Sequence, residues 1–306
     1  MTKFHVSKFD GQSTSTLGYS INKQFTPDLD IRTVEFWDAT RADLQTVVTG
    51  TGGIPKLTAL KGLLGKTLTT LGTGRAPSAQ DASGNNGIVW RSDSAGEGHQ
   101  GLAFPSGLLQ NAKEVLIGIV LSQQSQTPSS RLFEMSSDGT AANVTVSSQF
   151  SAFGAPNNYT LTTAKLSSSN LNLPNFPTDN TLHCILFHYK KDGTIAVRLD
   201  GVQIASTAAS ALKALLPVGG TGFLGADYAG GLGILKDSNT RITHVAVAEV
   251  EKIDAKSTQG YIERDRNAAE YWEASLMYAA GIESKLPVEH SFKSTPPVTT
   301  WLGERT

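Results

Sequence analysis

Residues 115–121 constrain the fold more than any other part of the sequence, because both sides of this segment are apolar. Successive side chains of a β-strand point to opposite faces. One face of this segment would carry Val115, Ile117, Ile119 and Leu121, and the other Leu116, Gly118 and Val120. A strand that is apolar on both faces is covered on both sides, so the segment predicts a central strand in a layered β-structure.

Asp-Gly pairs join the strand candidates in the second half of the chain. Residues 181–189 and 194–199 flank a turn that contains Asp192-Gly193, and Asp200-Gly201 leads into residues 202–205. These pairs supply the positive φ angles that tight hairpins require. Further strand candidates are residues 34–39, 88–91, 131–135, 159–166, 222–225 and 241–250. The pattern predicts an all-β chain built as a two-sheet antiparallel sandwich.

One long helix is expected near the end of the chain, over residues 254–280, with Gly281 as its C-terminal stop. Its apolar stripe consists of Ile262, Ala269, Trp272, Leu276 and Ala279. Such a stripe packs against an apolar surface. We expect that surface to be the flank of the sandwich itself, and a contact with another subunit is the alternative.

Helical spacing is also present in the first quarter of the chain. Leu57, Leu60, Leu64 and Leu68 recur at intervals of three and four residues, which predicts a helix within residues 55–68 despite Gly62 and Gly65. Residues 40–47 have a short helical pattern as well.

These elements divide the chain into four parts. Residues 1–30, with Phe4 and Phe9, form an N-terminal arm or a first strand, and residues 31–253 form the sandwich. The helix occupies residues 254–281, and residues 282–306 form an extended tail that contains several prolines. Adjacent prolines favour such an extended path.

Composition excludes several classes of function. The formal net charge is −1 and no basic patch is present, which argues against a nucleic-acid ligand. The apolar runs are too short for membrane insertion, and no signal peptide follows Met1. The single cysteine, Cys184, lies in an apolar run and is expected to be a buried thiol.

The order of several motifs resembles the laminin-G-like, or concanavalin A-like, domains. The segment 193–201 with its Asp-Gly turn, then Gly222-Phe223-Leu224-Gly225, then residues 242–248 are similar to the last strands of that family. Near the start, Phe36-Trp37-Asp38-Ala39 resembles an early corner of these domains.

The C-terminal region carries the most specific part of the resemblance. Many bacterial and phage laminin-G-like proteins end in a helix, a glycine and a tail with the order Leu-Pro, His, Phe-Lys and Pro-Pro. Here that order is Gly281, Leu286-Pro287, His290, Phe292-Lys293 and Pro296-Pro297, with Ser291 where the family has proline.

The resemblance implies a concanavalin A-like jelly roll and a role in a bacteriophage particle. We expect a structural virion protein, either a capsid decoration or a tail-fibre or baseplate component, exposed on the virion surface and assembled in the host cytoplasm. Its expected partners are other virion proteins and further copies of itself. A carbohydrate-binding module that recognises a host-surface glycan is the alternative function.

We expect no enzymatic activity and name no catalytic residue. Glycanases on this scaffold carry alternating carboxylates on one strand, whereas Glu249, Glu251 and Asp254 have the wrong spacing. The glycines of Gly62-Leu63-Leu64-Gly65-Lys66-Thr67 are too close together for a phosphate-binding loop, so this motif is expected to form a turn or short helix.

Candidate binding residues come from aromatic side chains next to amides or carboxylates. Asp227 with Tyr228, and Asn157 and Asn158 with Tyr159, are candidates for sugar binding. No cofactor or metal site is expected. Laminin-G-like domains can bind calcium, and calcium is possible but unsupported here, because the roughly six to eight oxygens that calcium takes cannot be counted at Asp227 and residues 237–239. The candidate assembly contacts are apolar residues of the two terminal segments: Phe4, Phe9, Leu286, Pro287, Phe292 and Trp301.

Overall fold

The computed structural model describes residues 30–70, 76–90, 101–108, 112, 114–124, 131–136, 144–151, 158–161, 171–172, 176–190, 194–206, 221–226, 239–252, 258–290 and 293. This part of the chain forms seventeen β-strands and one α-helix. The strands are β1 (Asp30–Asp38), β2 (Gln45–Thr49), β3 (Pro55–Lys61), β4 (Thr67–Thr70), β5 (Ser78–Gln80), β6 (Asn86–Trp90), β7 (Leu102–Ala103), β8 (Val115–Ser122), β9 (Arg131–Ser136), β10 (Val144–Ser151), β11 (Asn158–Leu161), β12 (Leu171–Asn172), β13 (His183–Tyr189), β14 (Ile195–Leu199), β15 (Val202–Ser206), β16 (Thr221–Leu224) and β17 (Thr240–Lys252). The helix, α1, spans Thr258–Ala279, and short 3-10 turns lie at Ala42–Leu44, Thr51–Gly53 and Glu283–Lys285.

The strands form two antiparallel layers. In the first sheet the order is β1, β17, β8, β13, β14 and β15. In the second sheet the order is β4, β7, β16, β9, β10, β11 and β12. Strands β2, β3, β5 and β6 connect the two layers, because β3 pairs with β4 and β6 pairs with the beginning of β17. The described residues therefore form an all-β jelly-roll sandwich with a single helix, as predicted.

The core between the sheets contains the inward-facing residues of both layers. Val115, Ile117, Ile119 and Leu121 of β8 share one buried cluster with Leu132 and Leu224 of the second sheet. Phe133 and Phe187 meet across the layers, with ring centroids 5.0 Å apart in an edge-to-face arrangement. This contact joins β9 to β13 through the interior.

Helix α1 covers the other face of the first sheet. Leu116 and Val120 of β8 and Leu186 of β13 pack against Trp272 and Leu276 of the helix. A Cβ atom at Gly118 would lie 2.6 Å from Leu276 Cδ2, so glycine at this position allows the helix to approach the sheet closely. Both faces of β8 are buried, which confirms the prediction of a central strand. The helix thus packs against the sandwich of its own chain, as expected. The division of the chain into four segments stays a prediction.

The predicted helix within residues 55–68 is wrong, because this segment is the β3–β4 hairpin. Thr58 pairs with no residue of β2 in the register, which shifts between the pairs Thr46–Ala59 and Val47–Leu57 and marks a β-bulge, while its hydroxyl donates to the Thr46 carbonyl over 3.0 Å. A bulge adds one residue to one strand and changes which side chains share a face. Leu57 and Leu60 are therefore both buried although they are three residues apart, a spacing that also occurs on a helix face.

The helix predicted from the pattern of residues 40–47 is also wrong. Only Ala42–Leu44 form a 3-10 turn, and the chain then continues as strand β2 from Gln45. Three residues of 3-10 turn are too few to establish a helix, and pairing with β3 provides the backbone hydrogen bonds of β2 instead.

A buried carboxylate organises the turn between β3 and β4. Glu35 of β1 accepts hydrogen bonds from the backbone N–H groups of Phe36, Leu64 and Lys66 over 2.9, 2.7 and 2.6 Å. Burial raises the pKa of Glu35, and these hydrogen bonds lower it in part. The Gly62–Thr67 motif is thus a turn around a carboxylate of the same chain, which explains its glycines without a phosphate ligand.

Candidate polar pocket at one end of the first sheet

A polar cavity of about 460 Å³ lies at one end of the first sheet. Its floor includes Val89, Arg241 and Ser122, which lie side by side because β17 pairs with β6 on one side and with β8 on the other. Its walls come from the loops that adjoin these strands, with Asp81, Ala82, Ser83, Asn85, Gln124, Asn180 and Asn239. Four separate chain segments thus supply amide, hydroxyl, carboxylate and guanidinium groups to one cavity.

Asp81 fixes the wall that the β5–β6 turn contributes. Its Oδ1 accepts the backbone N–H groups of Ser83 and Asn85, each over 2.9 Å, and its Oδ2 accepts the side-chain amide of Asn85 over 2.9 Å. Burial raises the pKa of Asp81, but the hydrogen bonds from Asn85 and Ser83 and the charge of Arg241 outweigh it, so the pKa is lowered. Asp81 is therefore a carboxylate at neutral pH, committed mainly to its own turn.

Arg241 is the cation of the pocket. Its Nε lies 3.7 Å from Asp81 Oδ2, beyond hydrogen-bond distance, and its side chain is 22% exposed. The aliphatic part of the side chain lies against Gly87 of β6, where a Cβ atom would be 2.7 Å from Arg241 Cγ. Glycine at position 87 thus lets the arginine side chain lie along the sheet.

Asparagine and glutamine side chains complete the opposite wall. The Asn239 amide donates to Gln124 Oε1 over 2.9 Å, and the Asn180 backbone N–H donates to the Gln123 carbonyl over 3.1 Å. Asn180 and Asn239 have φ angles of 61° and 45°, in the left-handed region that asparagine tolerates better than most residues. These turns hold amide groups at the rim of the cavity.

An ionic network adjoins the pocket at the start of β13. His183 Nδ1 lies 2.5 Å from Asp200 Oδ2, and His183 Nε2 lies 3.0 Å from Thr181 Oγ1 and 3.2 Å from Asp179 Oδ1. Lys285, from the turn after the helix, donates to Thr181 Oγ1 over 2.8 Å. The network joins the segment after α1 to the same end of the sheet that carries the pocket.

Acid is expected to weaken this network through Asp179. The Thr181 backbone N–H holds the pKa of Asp179 at about 2, below its ordinary value of 3.8. Because the folded state binds this proton less readily than the unfolded chain, the stabilisation is present above pH 3.8 and is lost as the pH falls through about 2. Asp179 is more than half exposed, so the contribution is at most about 1 kcal/mol. Urea unfolding of Asp179→Asn should show a smaller loss of stability over this pH range than the wild type, and superimposable profiles would contradict this assignment.

Of the residues predicted for sugar binding, the structure describes Asn158 and Tyr159, and neither lines the polar pocket. Asn158 and Tyr159 are on β11, which pairs with β10 and β12 in the second sheet, whereas the pocket floor is part of the first sheet. Asp227, Tyr228 and Asn157 are outside the described residues. Sequence reasoning missed Arg241, Gln124 and the Asp81 turn, since each is an ordinary polar residue until the strand order brings them together.

Of the predicted assembly contacts, the structure describes Leu286 and Pro287. Leu286 is buried in the cluster between the helix and the first sheet, and a Cβ atom at Gly201 would lie 2.6 Å from Pro287 Cδ. Their side chains therefore pack within the chain, and a further role in assembly stays a prediction. Phe4, Phe9, Phe292 and Trp301 are outside the described residues.

Within the described part of the chain, no group of three or more histidine, cysteine, aspartate or glutamate side chains is arranged to hold a metal ion. The helix found there is not long and apolar enough to cross a membrane.

Comparison with known proteins identifies a fold and no family. No family model matches the chain, and no curated protein shows significant similarity to it. Among solved structures, the chain is similar to domain 4 of a GH43 extracellular arabinanase from Geobacillus stearothermophilus, solved in complex with arabinotriose. The identity is 14% and the TM-score 0.49, over 78% of this chain and 98% of that one.

Two further similar structures come from a parasite and a phage. A sialidase from Trypanosoma rangeli is 11% identical with a TM-score of 0.46, over 76% of this chain and 31% of the sialidase. A carbohydrate esterase from the Shiga toxin-encoding bacteriophage phi24B is 12% identical with a TM-score of 0.38, over 72% of this chain and all of that one. At these identities the likeness concerns the fold alone.

These comparisons correct one expectation. We expected a chain without enzymatic activity, and that exclusion is wrong, because an arabinanase, a sialidase and an esterase are among the proteins whose structures resemble this chain. The exclusion rested on carboxylate spacing in the sequence. Spacing along one strand does not decide which groups converge, since the polar pocket draws on four separate chain segments.

Proposed function

We propose that the chain binds carbohydrate in the polar pocket of the first sheet. The observation that carries this proposal is the cavity of about 460 Å³ walled by amide and hydroxyl groups from several loops and floored by Arg241. Its volume is in the range of about 300–1,000 Å³ that is typical of small-molecule sites. A wall of amide and hydroxyl groups suits a ligand whose surface is rich in hydroxyl groups, because each such group can donate and accept hydrogen bonds.

Gln124 offers the cleanest test of this proposal. Its Oε1 accepts from Asn239, which holds the side chain at the rim of the cavity and leaves its NH₂ group available to a ligand. Removing one hydrogen bond to a bound sugar is expected to weaken binding by about 0.5–1.5 kcal/mol, up to roughly tenfold in Kd. Gln124→Ala should show this loss in calorimetric titration with glycans identified on a broad array.

Gln203→Ala is the matched control, because Gln203 is an exposed glutamine on β15 outside the residues that line the pocket. Its substitution should leave glycan affinity unchanged. The proposal would be rejected if no glycan on the array bound the full chain, or if the two variants affected affinity equally.

We also propose that the chain is carried on the surface of a phage particle, where it contacts other virion proteins and copies of itself. The support for this proposal is the C-terminal motif that resembles phage laminin-G-like proteins. Two of its members, Leu286 and Pro287, pack beside Gly201, so part of the motif has a structural role within the chain. Mass spectrometry of purified particles would detect the chain if it is a virion component.

A further inference from the structure

The positive charge of the pocket is only loosely paired. Arg241 lines the cavity, and its contact with Asp81 is a single approach of 3.7 Å to Nε. In the described part of the chain, the two terminal nitrogens of its guanidinium make no hydrogen bond. An arginine that is only about one-fifth exposed and makes so few hydrogen bonds retains donors for a ligand.

The nearby carboxylate offsets this charge but does not take up the hydrogen-bond donors of the arginine. Asp81 already accepts three hydrogen bonds from Ser83 and Asn85 within its own turn. Among the described residues that line the cavity, Asp81 is the only acidic group and Arg241 the only basic one. Because the oxygens of Asp81 accept hydrogen bonds from their own turn, whereas the terminal nitrogens of Arg241 make none within the described residues, the group that retains hydrogen-bonding capacity for a ligand is the cation.

The position of Arg241 suits a planar anion. Its side chain is fixed along β17 between β6 and β8, and the close approach to Gly87 limits its freedom on one side. A guanidinium offers two parallel N–H donors that match the two oxygens of a carboxylate. The surrounding amide groups of Asn85 and Gln124 are suited to sugar hydroxyls rather than to a second charge.

We propose that the pocket selects acidic sugars, and that Arg241 pairs with the carboxylate of a uronic or sialic acid residue. This inference rests on the proposed glycan-binding function and adds the chemical class of the ligand. It assigns recognition of charge to one residue and recognition of hydroxyl groups to the amides around it.

The test uses pairs of probes that differ in the carboxylate. The galacturonic acid trisaccharide and sialyllactose are each compared with their own methyl esters in calorimetric titrations of the full chain. Hydrogen bonds to a charged group predict a preference of about ten- to a hundredfold for the acidic member of a bound pair. The preference should disappear in Arg241→Gln. It should be reduced but present in Arg241→Lys, because lysine keeps the positive charge but lacks the two parallel N–H donors of the guanidinium.

The outcomes separate this inference from the proposed function. Equal binding of acidic and neutral members, lost in Gln124→Ala but unchanged in Arg241→Gln, would overturn acid selection and leave glycan binding intact. Tighter binding of a sulfated trisaccharide than of the uronate would overturn the carboxylate assignment. Failure of every probe and of a broad glycan array to bind would overturn both, provided that circular dichroism shows folded protein.

Discussion

Replacing Arg198 by methionine is expected to lower the free energy of unfolding by about 3–5 kcal/mol. Arg198 of β14 donates from Nε to Glu273 Oε2 over 2.5 Å and from Nη2 to the Gly201 carbonyl over 2.7 Å. Glu273 is on helix α1, with a fully buried side chain, and its other oxygen accepts the Gly201 backbone N–H over 2.6 Å. Without the arginine, a buried carboxylate would keep a single neutral donor, which is why the expected loss is large.

Two further variants test whether this loss arises because the ion pair is buried. Arg41→Met removes an exposed pair with Asp43, whose side chain is 62% exposed, and should cost at most about 1 kcal/mol. The double variant Arg198→Met/Glu273→Leu should regain part of the stability, because replacing both members of a buried ion pair by apolar residues removes the uncompensated charge, although Gly201 loses two hydrogen-bond partners. Urea unfolding would measure all three, and a double variant as unstable as Arg198→Met would contradict this account.

The loss of unfolding free energy in Arg198→Met should also increase with pH. Burial raises the pKa of Glu273 to about 7 against the lowering effect of Arg198, from an ordinary value of 4.5. The folded state therefore binds this proton more readily than the unfolded chain. The resulting stabilisation is fully present below pH 4.5 and is lost as the pH rises through about 7. Removing Arg198 would raise this pKa further. We therefore expect the deficit of Arg198→Met to be smaller at pH 5 than at pH 8.

Leu276→Ala is expected to cost about 2–5 kcal/mol, because a fully buried leucine leaves a cavity that its neighbours fill only in part. Leu276 packs against the face of β8 at Gly118 and belongs to the cluster that includes Leu116 and Leu186. The substitution therefore weakens the contact between the helix and the first sheet directly. The midpoint and the slope of urea unfolding would be measured by circular dichroism.

Leu64→Ala is the matched control, since Leu64 is an exposed leucine in the β3–β4 turn and its loss should change stability by about 0.5 kcal/mol or less. Gly118→Ala alone should be destabilising by about 1–3 kcal/mol through overpacking, as its Cβ atom would meet Leu276 Cδ2. Combined with Leu276→Ala, that Cβ atom would occupy part of the vacated space. The two effects should therefore be less than additive, and strict additivity would show that the two positions do not share one contact.

Local sequence patterns predicted the hairpins well. Asp200 and Gly201 have φ angles of 49° and 89°, the positive values that a two-residue Asp-Gly turn requires. The strands on either side, β14 and β15, pair as expected. The helix ends near its predicted stop, where Gly281 has a φ angle of 69°. In each case residues close in sequence set the backbone conformation, so short-range information was sufficient.

The leucines of β3 show why a similar argument failed. Spacing by three residues is typical of a helix, but a bulge at Thr58 produces the same spacing in a strand. Whether a chain forms the bulge depends on its partner strand, which in this case is β2. The prediction was wrong because the deciding contact is with β2, which lies outside residues 55–68.

The candidate site depends on contacts between residues far apart in sequence even more than the β3 bulge does. Arg241, Gln124, Asn180 and the Asp81 turn lie in four separate segments. The pairing of β17 with β6 and β8, and of β8 with β13, brings them to one cavity. No local signal distinguishes these residues from ordinary polar residues in loops. Tyr159 and Tyr228, which were predicted to bind sugar, have suitable side chains, but the sequence does not indicate which other residues lie near them.

The sequence by itself determined the sandwich, the Asp-Gly turns and the helix with one apolar stripe, because alternation of apolar residues and the φ preferences of single residues act over a few positions. Only the tertiary structure decided where charges meet, as with Glu35 inside the β3–β4 turn and Glu273 against Arg198. It likewise decided which polar residues share a cavity. Pairing between strands and the packing of the helix fix these distances, and both depend on parts of the chain that are far apart in sequence.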